Sequence, residues 1–424
     1  MRRVAITGIG LCTPLGNDTE STWSALVEGR SAVGPIRSFD ATSLQTRIGA
    51  EVEGLEPRDY VANRRSLRTM TRHDIYAMVA AKGAIEDSGL DLGDDPEGRN
   101  ALFTAGDKQV SDPDYFAESS VAARHADGKA DIRQFGELAY SSVHPLFYLE
   151  GIQGASLFYI SEQWGLRGPN TYFSGTAEAG LLAIARGYRA VRRGEADVAV
   201  CGASDSPIFW WHMAAWDSFG VLTTRNELGS AACAPYEVER DGTVMGEGGA
   251  FLLLEELDAA RARGASIYAE IVGAGAAFDT GQLSAPDGSG RAVAAAAERA
   301  IAAGAIAGSD VDYVAAHGDG TRAGDANEAA GLRQAFGSDG LLASSVKPAT
   351  GNLVGAAGAL DAAVAALALS RRTAPPTLNL EQVDPDCEGI DWIAKEARET
   401  RIEVALALAR GLEGQNVALA LRAA

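Results

Sequence analysis

Cysteine is rare in this chain, and the few cysteines are far apart. No CxxC pair is present, so neither a disulfide-stabilised scaffold nor a metal site is expected. Long apolar runs are also missing. The sequence has no stretch of about 18 uninterrupted apolar residues, so no membrane span is expected. The apolar N-terminus is broken at Thr7, Gly8 and Gly10, which indicates a buried first strand rather than a signal peptide. We therefore expect a reducing, cytoplasmic location. The four cysteines are Cys12, Cys201, Cys233 and Cys387.

Positive charge is scarce as well. The 424 residues include 37 lysines and arginines against 57 acidic residues, which gives a net charge of −20. This balance disfavours a nucleic-acid partner, because phosphate recognition needs clustered positive charge. An acidic protein partner would need a local basic patch. Apolar side chains, in contrast, make up 46% of the chain, enough for a large buried core.

Short apolar runs alternate with longer alanine-rich segments, a pattern typical of layered α/β architecture. The strand candidates are 3–8, 197–202, 250–254, 268–273, 312–316 and 416–421. The helix candidates are 75–88, 178–193, 291–304, 325–336 and 357–370. The helix 178–193 starts with Glu178 and ends before Gly194, which suits the helix dipole and a C-terminal stop.

The composition suggests two halves, residues 1–255 and residues 256–424. The second half opens with a charged helix and a strand that ends in Gly-Ala-Gly, similar to the first strand and its Gly-Ile-Gly. Residues 104–150 mix Asp, Pro, Tyr and Phe without a clear period. We interpret them as an insertion or interface region.

The first chemical motif starts at residue 168 and reads GPNTYFSGTAEAGLLAIARGYRAVRRGEADVAVCGAS. It resembles the beta-ketoacyl-acyl-carrier-protein synthases, in particular the elongating enzymes and the subunits of type II polyketide synthases. In that family a tight turn before a helix carries the acyl-accepting cysteine, and an ungapped count puts Ala177 there. A thiolate at a helix N-terminus is stabilised by the helix dipole and the backbone N–H groups. A methyl group cannot accept an acyl chain.

No neighbour of Ala177 is expected to replace the thiol. Ser174, Thr176 and Glu178 are interpreted as groups that satisfy a polar pocket, without a general base close by. Cys201 lies in the following strand and is predicted to be a buried structural thiol. The loss of the nucleophilic thiol at position 177 therefore determines how we interpret the function of the chain.

A second motif, VAAHGDGTRAGDANE, lies at 314–328. By the resemblance, His317 occupies the first catalytic histidine position, and Asp325 and Glu328 occupy the acidic positions. Asp319 replaces a threonine of the family pattern. Whether His317 keeps a function is left open.

A third motif, SSVKPATGNLVGAAGALDA, lies at 344–362. It retains the family's lysine as Lys347, but Asn352 replaces the second histidine. The family uses two histidines with the cysteine to break the malonyl C–C bond and to stabilise the enolate. Asparagine can donate a hydrogen bond to an oxyanion, yet it cannot exchange a proton near neutral pH. A Cys–His–Asn set does occur in the initiating relatives, so Asn352 alone does not establish inactivity.

The flexible C-terminal loop of the family also differs here, where the chain reads LARGLEGQN. Arg410 and Leu412 stand at the phenylalanine positions, Gly411 is kept, and Glu413 stands at a glycine. The gating phenylalanine is therefore absent, and the loop has less glycine with which to swing.

A basic cluster, RRSLRTMTRH at 64–73, contrasts with the acidic chain. It would suit the acidic helix of an acyl carrier protein through charge-assisted contacts. The alternative is a helix face that internal carboxylates balance. The arginines concerned are Arg64, Arg65, Arg68 and Arg72.

The resemblance implies a five-layered αβαβα thiolase fold with two related halves. It also implies a dimer, which we expect to be a heterodimer with an active ketosynthase or a higher assembly of such dimers. The pattern of kept scaffold and lost chemistry is typical of the ketosynthase-beta subunit, or chain-length factor, which shapes the tunnel for a carrier-bound polyketide or polyene chain. No cofactor is expected besides the phosphopantetheine of the acyl carrier protein.

Two alternatives remain. Relatives with glutamine at the nucleophile position decarboxylate malonyl carrier protein, and His317 with Asn352 would support a weak version of that reaction. In the other alternative, Ala177 inactivates what is otherwise a Cys–His–Asn ketosynthase or acyltransferase.

Overall fold

The computed structural model describes residues 1–93, 95–107, 113–282, 285–338 and 340–424. Its strands are named in chain order. They are β1 Val4–Cys12, β2 Gly34–Pro35, β3 Ile48–Ala50, β4 Asn100–Gly106, β5 Asn170–Ser174, β6 Val198–Asp205, β7 Met245–Gly246, β8 Gly248–Glu256, β9 Ala269–Phe278, β10 Tyr313–Ala315, β11 Leu342–Ser344, β12 Thr373–Ala374, β13 Asp391–Trp392, β14 Arg398–Glu399, β15 Val404–Arg410 and β16 Gln415–Arg422.

The α-helices are named in the same way. They are α1 Thr19–Val27, α2 Arg72–Ser88, α3 Asp114–Ala122, α4 Ile132–Ser142, α5 Phe147–Glu150, α6 Ala155–Trp164, α7 Ala177–Arg193, α8 Trp210–Phe219, α9 Leu257–Ala262, α10 Arg291–Ala303, α11 Arg322–Phe336, α12 Lys347–Thr350 and α13 Ala357–Arg371. Short 3₁₀ turns lie at Pro57–Asp59, Ser66–Arg68, Asn226–Ala231, Gly308–Asp310, Val354–Ala356 and Pro385–Cys387.

The main sheet repeats one topology twice. The first half orders its strands β5-β4-β6-β8-β1, and the second half orders five of its strands β11-β10-β15-β16-β9, with the two-residue β13 added beyond β11 at the edge. If the five strands of each half are counted along the chain, both orders read 3-2-4-5-1. The fifth strand of each half is antiparallel to its neighbours. This repeat confirms the expected thiolase fold with two related halves.

The layers alternate as the resemblance implies. α2 covers the outer face of the first half-sheet and α10 that of the second, while α7 and α13 lie between the two half-sheets. These middle helices pack closely: a Cβ on Gly180 would lie 2.8 Å from the Ala359 nitrogen, and one on Gly358 would lie 2.4 Å from the Ala177 carbonyl oxygen. The two glycines thus fix the N-terminal tip of α7 against α13.

Most of the predicted elements form with shifted ends. The helix predicted over 178–193 spans Ala177–Arg193 and stops at Gly194, whose φ of +73° is left-handed. β4 was not predicted, because its last residues fall in the segment 104–150 that lacks a period. The remainder of that segment forms α3, α4 and α5, and residues 108–112 lie outside the described residues.

One helical stretch among the described residues, Val354–Arg371, is long and apolar enough to cross a membrane. Within the protein, 89% of it is buried. It contains α13 of the middle layer, so core packing accounts for its apolar character.

Candidate functional site

The turn after β5 places Ala177 at the first position of α7. Thr176 caps the helix in a non-helical conformation, and Ala177 is only 2% exposed. The predicted nucleophile position is thus at the tip of a buried helix, where the helix dipole would stabilise a thiolate. Alanine uses none of this stabilisation.

A small cavity of about 20 Å³ brings together the three site positions that the separate motifs predicted. Ala177, His317 and Asn352 all line it, and its volume suits one or two water-sized groups. Several lining residues were not predicted from the sequence. The full lining is Thr176, Ala177, Trp216, Val221, Thr243, His317, Asp319, Thr321, Asn352, Val354, Arg410 and Leu412.

His317 is buried and lies next to the unusual Asp319. Its Nε2 atom is 3.5 Å from Oδ2 of that carboxylate. Burial and nearby Lys347 lower the pKa of His317, which favours the neutral ring. Burial opposes ionisation of Asp319, but the contacts with His317 and Thr321 outweigh it and keep the pKa of this carboxyl below its usual range. The burial thus favours the neutral form of His317, while the contacts favour the ionised form of Asp319.

The two acidic positions of the second motif support the backbone around His317. Glu328 accepts hydrogen bonds from the His317 and Gly318 amides, at 2.7 and 2.8 Å, and from the Tyr236 hydroxyl at 2.8 Å. Asp325 accepts from the Gly320 and Tyr236 amides. It also lies 3.1 Å from Nε of buried Arg240. These carboxylates therefore position the histidine loop.

Lys347 lies behind the cavity and holds the same loop from another side. Its ammonium group donates to the His317 carbonyl and lies 3.6 Å from Oδ2 of Asp361, with both side chains buried. Burial raises the pKa of Asp361 to about 7, although Lys347 acts in the opposite direction. Asp361 was missed from the sequence, where one carboxylate within the apolar helix α13 was the available signal.

Asn352 turns its side-chain oxygen towards the backbone. The side-chain Oδ1 accepts a 3.1 Å hydrogen bond from the Val354 backbone amide. The backbone amide of Asn352 donates to the Val244 carbonyl at 2.7 Å. The group that Asn352 can offer to a ligand is therefore its NH₂ donor.

The helix tip holds a hydroxyl and a carboxyl but no thiol. Thr176 Oγ1 lies 3.1 Å from Oε2 of Glu178 and also accepts the Leu412 amide at 2.9 Å. The sequence interpretation expected no base near Thr176, whereas the structure puts a carboxyl beside it. The hydroxyl is engaged on both sides, so it links α7 to the C-terminal loop. All four cysteines are buried, and burial raises the pKa of Cys201 well above its usual value.

Glu178 gives a testable pH dependence. Its side chain is 2% exposed, and burial raises its pKa from 4.5 to about 7, with a further increase from Glu413. Between these two values the folded chain holds a proton that the unfolded chain releases, so stability falls as the pH rises through this window. We expect Glu178→Gln to raise the free energy of unfolding at pH 8 by about 2–3 kcal/mol.

Urea unfolding at pH 8 and at pH 4 would measure this effect. At pH 4 the gain should nearly vanish, because the carboxyl is protonated in both states. Exposed Glu298 on α10 is the control, since Glu298→Gln should change stability by less than about 0.5 kcal/mol. An equal gain at both pH values would contradict the assignment.

The C-terminal loop is tied down at both ends. The Gly411 amide donates to the Gln415 carbonyl at 2.7 Å, and the Asp279 amide donates to the Gly414 carbonyl at 2.7 Å. Arg410, at the end of β15, lies beside the cavity at the position of the family's phenylalanine. It is 7% exposed.

The basic cluster lies apart from this cavity. Arg64, Arg65 and Arg68 are exposed and make no ion pair within 4.0 Å among the described residues, whereas Arg72 pairs with buried Glu247. Of these four arginines, Arg72 is therefore the one whose positive charge a carboxylate of the described residues balances. Three arginines remain available on the surface.

The sequence of this chain matches models and members of a known protein family. The model of the beta-ketoacyl synthase N-terminal domain matches residues 1–260, and the model of the C-terminal domain matches residues 268–381. The fold is thus that of a ketosynthase-like protein. The 3-oxoacyl-[acyl-carrier-protein] synthase 2 of Vibrio harveyi is 35% identical over 99% of this chain and 98% of its own length. The chain belongs to the beta-ketoacyl synthase family.

Other similar proteins include members from polyketide pathways. A putative polyketide beta-ketoacyl synthase 1 of Streptomyces cyaneus is 34% identical over 99% of this chain and 98% of that protein. The solved ishigamide ketosynthase/chain length factor matches with a TM-score of 0.88 and 28% identity, covering 100% of this chain and 99% of the other. A beta-ketoacyl synthase from Burkholderia phymatum matches with a TM-score of 0.87 and 30% identity over all of both chains. Overall likeness therefore does not separate condensing from non-condensing members.

Proposed function

We propose that this chain is a non-condensing, ketosynthase-beta type subunit that pairs with an active ketosynthase and shapes the tunnel for a carrier-bound polyketide or polyene chain. The observation that carries the proposal is Ala177 at the tip of α7, with no thiol among the described residues that line the cavity. Without a nucleophile, the acyl chain cannot be transferred to this subunit. Asn352 adds to the loss of proton-transfer chemistry, because its amide cannot exchange a proton near neutral pH.

An exposed surface of the first half supports the pairing. β5 is the last strand of the main sheet and pairs only with β4 among the described residues. Such a free edge is a template for another chain. Most of the large exposed apolar side chains cluster nearby in sequence, which is typical of an interaction surface. They are Val121, Ile132, Tyr140, Tyr148, Leu149, Ile152 and Phe158.

An acyl carrier protein is the second proposed partner. One structural neighbour, with a TM-score of 0.86, 25% identity and coverage of 100% of this chain and 99% of its own, is a type II polyketide acyl carrier protein in complex with its ketosynthase. The exposed arginines at 64, 65 and 68 supply the local basic patch that an acidic carrier needs. The carrier would bring its own phosphopantetheine arm, and we propose no cofactor for this chain.

Co-expression with the ketosynthase of the same pathway tests the proposal. We expect the two chains to co-purify as a stable complex and the complex to extend a carrier-bound chain. This chain alone should be inactive in condensation. A stable homodimer that forms no complex with any such ketosynthase would overturn the proposal.

A decarboxylase is the second candidate, because His317 and Asn352 both line the cavity. Incubation of the isolated chain with malonyl carrier protein, followed by mass analysis of the carrier, separates the two functions. Conversion to the acetyl form would favour the decarboxylase. An unchanged malonyl carrier would remove it.

Restoring the thiol tests whether Ala177 inactivates an otherwise complete enzyme. In the Ala177→Cys variant we expect no stable acyl adduct, because His317 lies against Asp319 and Arg410 lines the same cavity. Intact-protein mass after incubation with an acyl carrier protein is the measurement, with the Ala177→Ser variant as control. Acylation of the cysteine variant would restore the Cys–His–Asn alternative.

A further inference from the structure

Two opposite charges that the family pattern lacks lie on the walls of the cavity beside Ala177. Asp319 stands in place of a threonine, and Arg410 stands in place of a phenylalanine. Both side chains line this cavity of about 20 Å³, and the two residues are only 9% and 7% exposed. A buried charge needs a compensating charge nearby, because its loss of hydration is strongly unfavourable.

Arg410 has no anion in direct contact among the described residues. Its Nε and Nη2 atoms are buried without a hydrogen-bond partner there, and no carboxylate oxygen lies within 4.0 Å of the guanidinium. Glu328 shares an adjoining cavity of about 10 Å³ with Arg410, but its two oxygens already accept three hydrogen bonds. The guanidinium therefore still needs an anion.

Asp319 is the matching anion. Its Oδ1 accepts hydrogen bonds from the Thr321 amide and hydroxyl, at 2.8 and 2.7 Å. Its Oδ2 lies 3.5 Å from Nε2 of His317. Burial lowers the pKa of His317 and so favours the neutral ring, which leaves no cation within 4.0 Å of the Asp319 carboxylate in the described part of the chain.

Water is the group that can connect these two side chains. They are more than 4.0 Å apart, yet they line the same cavity, whose volume of about 20 Å³ has room for water but for little else. The lining adds two further donors. One is the buried Thr243 hydroxyl, which has no partner among the described residues, and the other is the Asn352 NH₂ group. A buried water is held well where it finds several polar partners of this kind.

We propose that Asp319 and Arg410 form an ion pair across this cavity, bridged by bound water that Thr243 and Asn352 also hold. The pair fills the space beside Ala177 with charge and ordered water. An acyl chain that entered would have to displace this water and separate the two charges, which is unfavourable in a buried site. The pair therefore excludes acyl groups, and this exclusion, unlike the ion pair itself, rests on the function proposed above.

A double-mutant cycle in the full chain measures the ion pair. Asp319→Asn and Arg410→Met each remove one charge and keep most of the side chain. Each should lower the folding equilibrium constant about tenfold or more in urea unfolding, because the opposite charge is left buried alone. The double variant should recover most of this loss, since neither charge remains.

Asp319→Asn combined with Arg398→Met is the matched control. The Arg398 side chain is 41% exposed and pairs with Asp391, so its effect and that of Asp319→Asn should simply add. Additive losses in Asp319→Asn with Arg410→Met would overturn the ion pair. A high-resolution crystal structure without ordered water between Asp319 and Arg410 would overturn the bridge.

Alkylation of a reporter thiol measures the exclusion. In Ala177→Cys, the uncharged reagent iodoacetamide should modify position 177 slowly, with rates read by peptide mass at the plateau of the pH profile. Adding Asp319→Asn and Arg410→Met should speed this modification about tenfold or more, because charge and ordered water no longer fill the cavity. Equal rates would overturn the exclusion.

Co-purification of the Asp319→Asn/Arg410→Met variant with the ketosynthase is measured separately, and assembly should be unchanged. A chain that pairs with the ketosynthase but shows additive losses loses the ion pair and keeps the proposed function. A chain that shows the coupling but never pairs keeps the ion pair and loses the proposed function.

Discussion

Replacing Phe158 with glutamate should abolish assembly with the active ketosynthase. Phe158 is 61% exposed on α6, which packs beside the free edge strand β5. If that surface is the interface, the substitution would bury an unpaired carboxylate against an apolar partner. We expect affinity for the partner to fall about 30-fold or more, as for the central residues of protein interfaces.

A matched control exists in the second half of the chain. Phe278, at the end of β9, is 59% exposed. β9 lies five strands away from β5 in the sheet, which is about 24 Å at ordinary strand spacing. Phe278→Glu should therefore leave assembly intact. Co-purification and analytical ultracentrifugation measure the assembly of each variant with the ketosynthase. If both variants lose assembly equally, or if neither variant loses it, the proposed interface surface is excluded.

The sequence predicted many features of the fold that depend on local signals, although the apolar strand β15 was not among the strand candidates. The helix 178–193 was placed to within one residue, because its acidic start and glycine stop lie within the segment itself. β4 was missed, since Thr104 and Gly106 weaken its apolar pattern and its burial comes from β5, β6 and α7 around it. Whether such a segment forms a strand depends on its tertiary packing more than on its own residues.

The same division applies to the site. The family motifs named Ala177, His317 and Asn352 as site positions by spacing within each motif, and the structure puts all three at one cavity. The pairing of Lys347 with Asp361 was not predictable, and neither was the lack of a hydrogen-bond partner, within the described part of the chain, for the buried Nε and Nη2 atoms of Arg410. Both depend on which segments approach each other in the folded chain, and a charge in the sequence does not reveal its partner.

Replacing Lys347 with methionine should cost about 3–5 kcal/mol of stability, the largest loss expected from one change at the site. The ammonium group lies 3.6 Å from the buried Asp361 carboxylate and also donates to the His317 carbonyl. Without it, a carboxylate remains in the core, and no other cation of the described residues lies within 4.0 Å of it. Asp361 would then take up a proton, so the loss should be smaller at pH 5 than at pH 8.

The double variant Lys347→Met/Asp361→Leu separates the lost ion pair from lost packing. Removing both charges leaves no buried ion, so the double variant should recover most of the stability that Lys347→Met loses. Urea unfolding of the two single variants, Lys347→Met and Asp361→Leu, and of the double variant gives the coupling free energy between the two side chains. Some loss should remain, because the His317 carbonyl still lacks its donor. If the double variant is as unstable as Lys347→Met, the pair acts through packing rather than charge, and the role assigned to Asp361 is wrong.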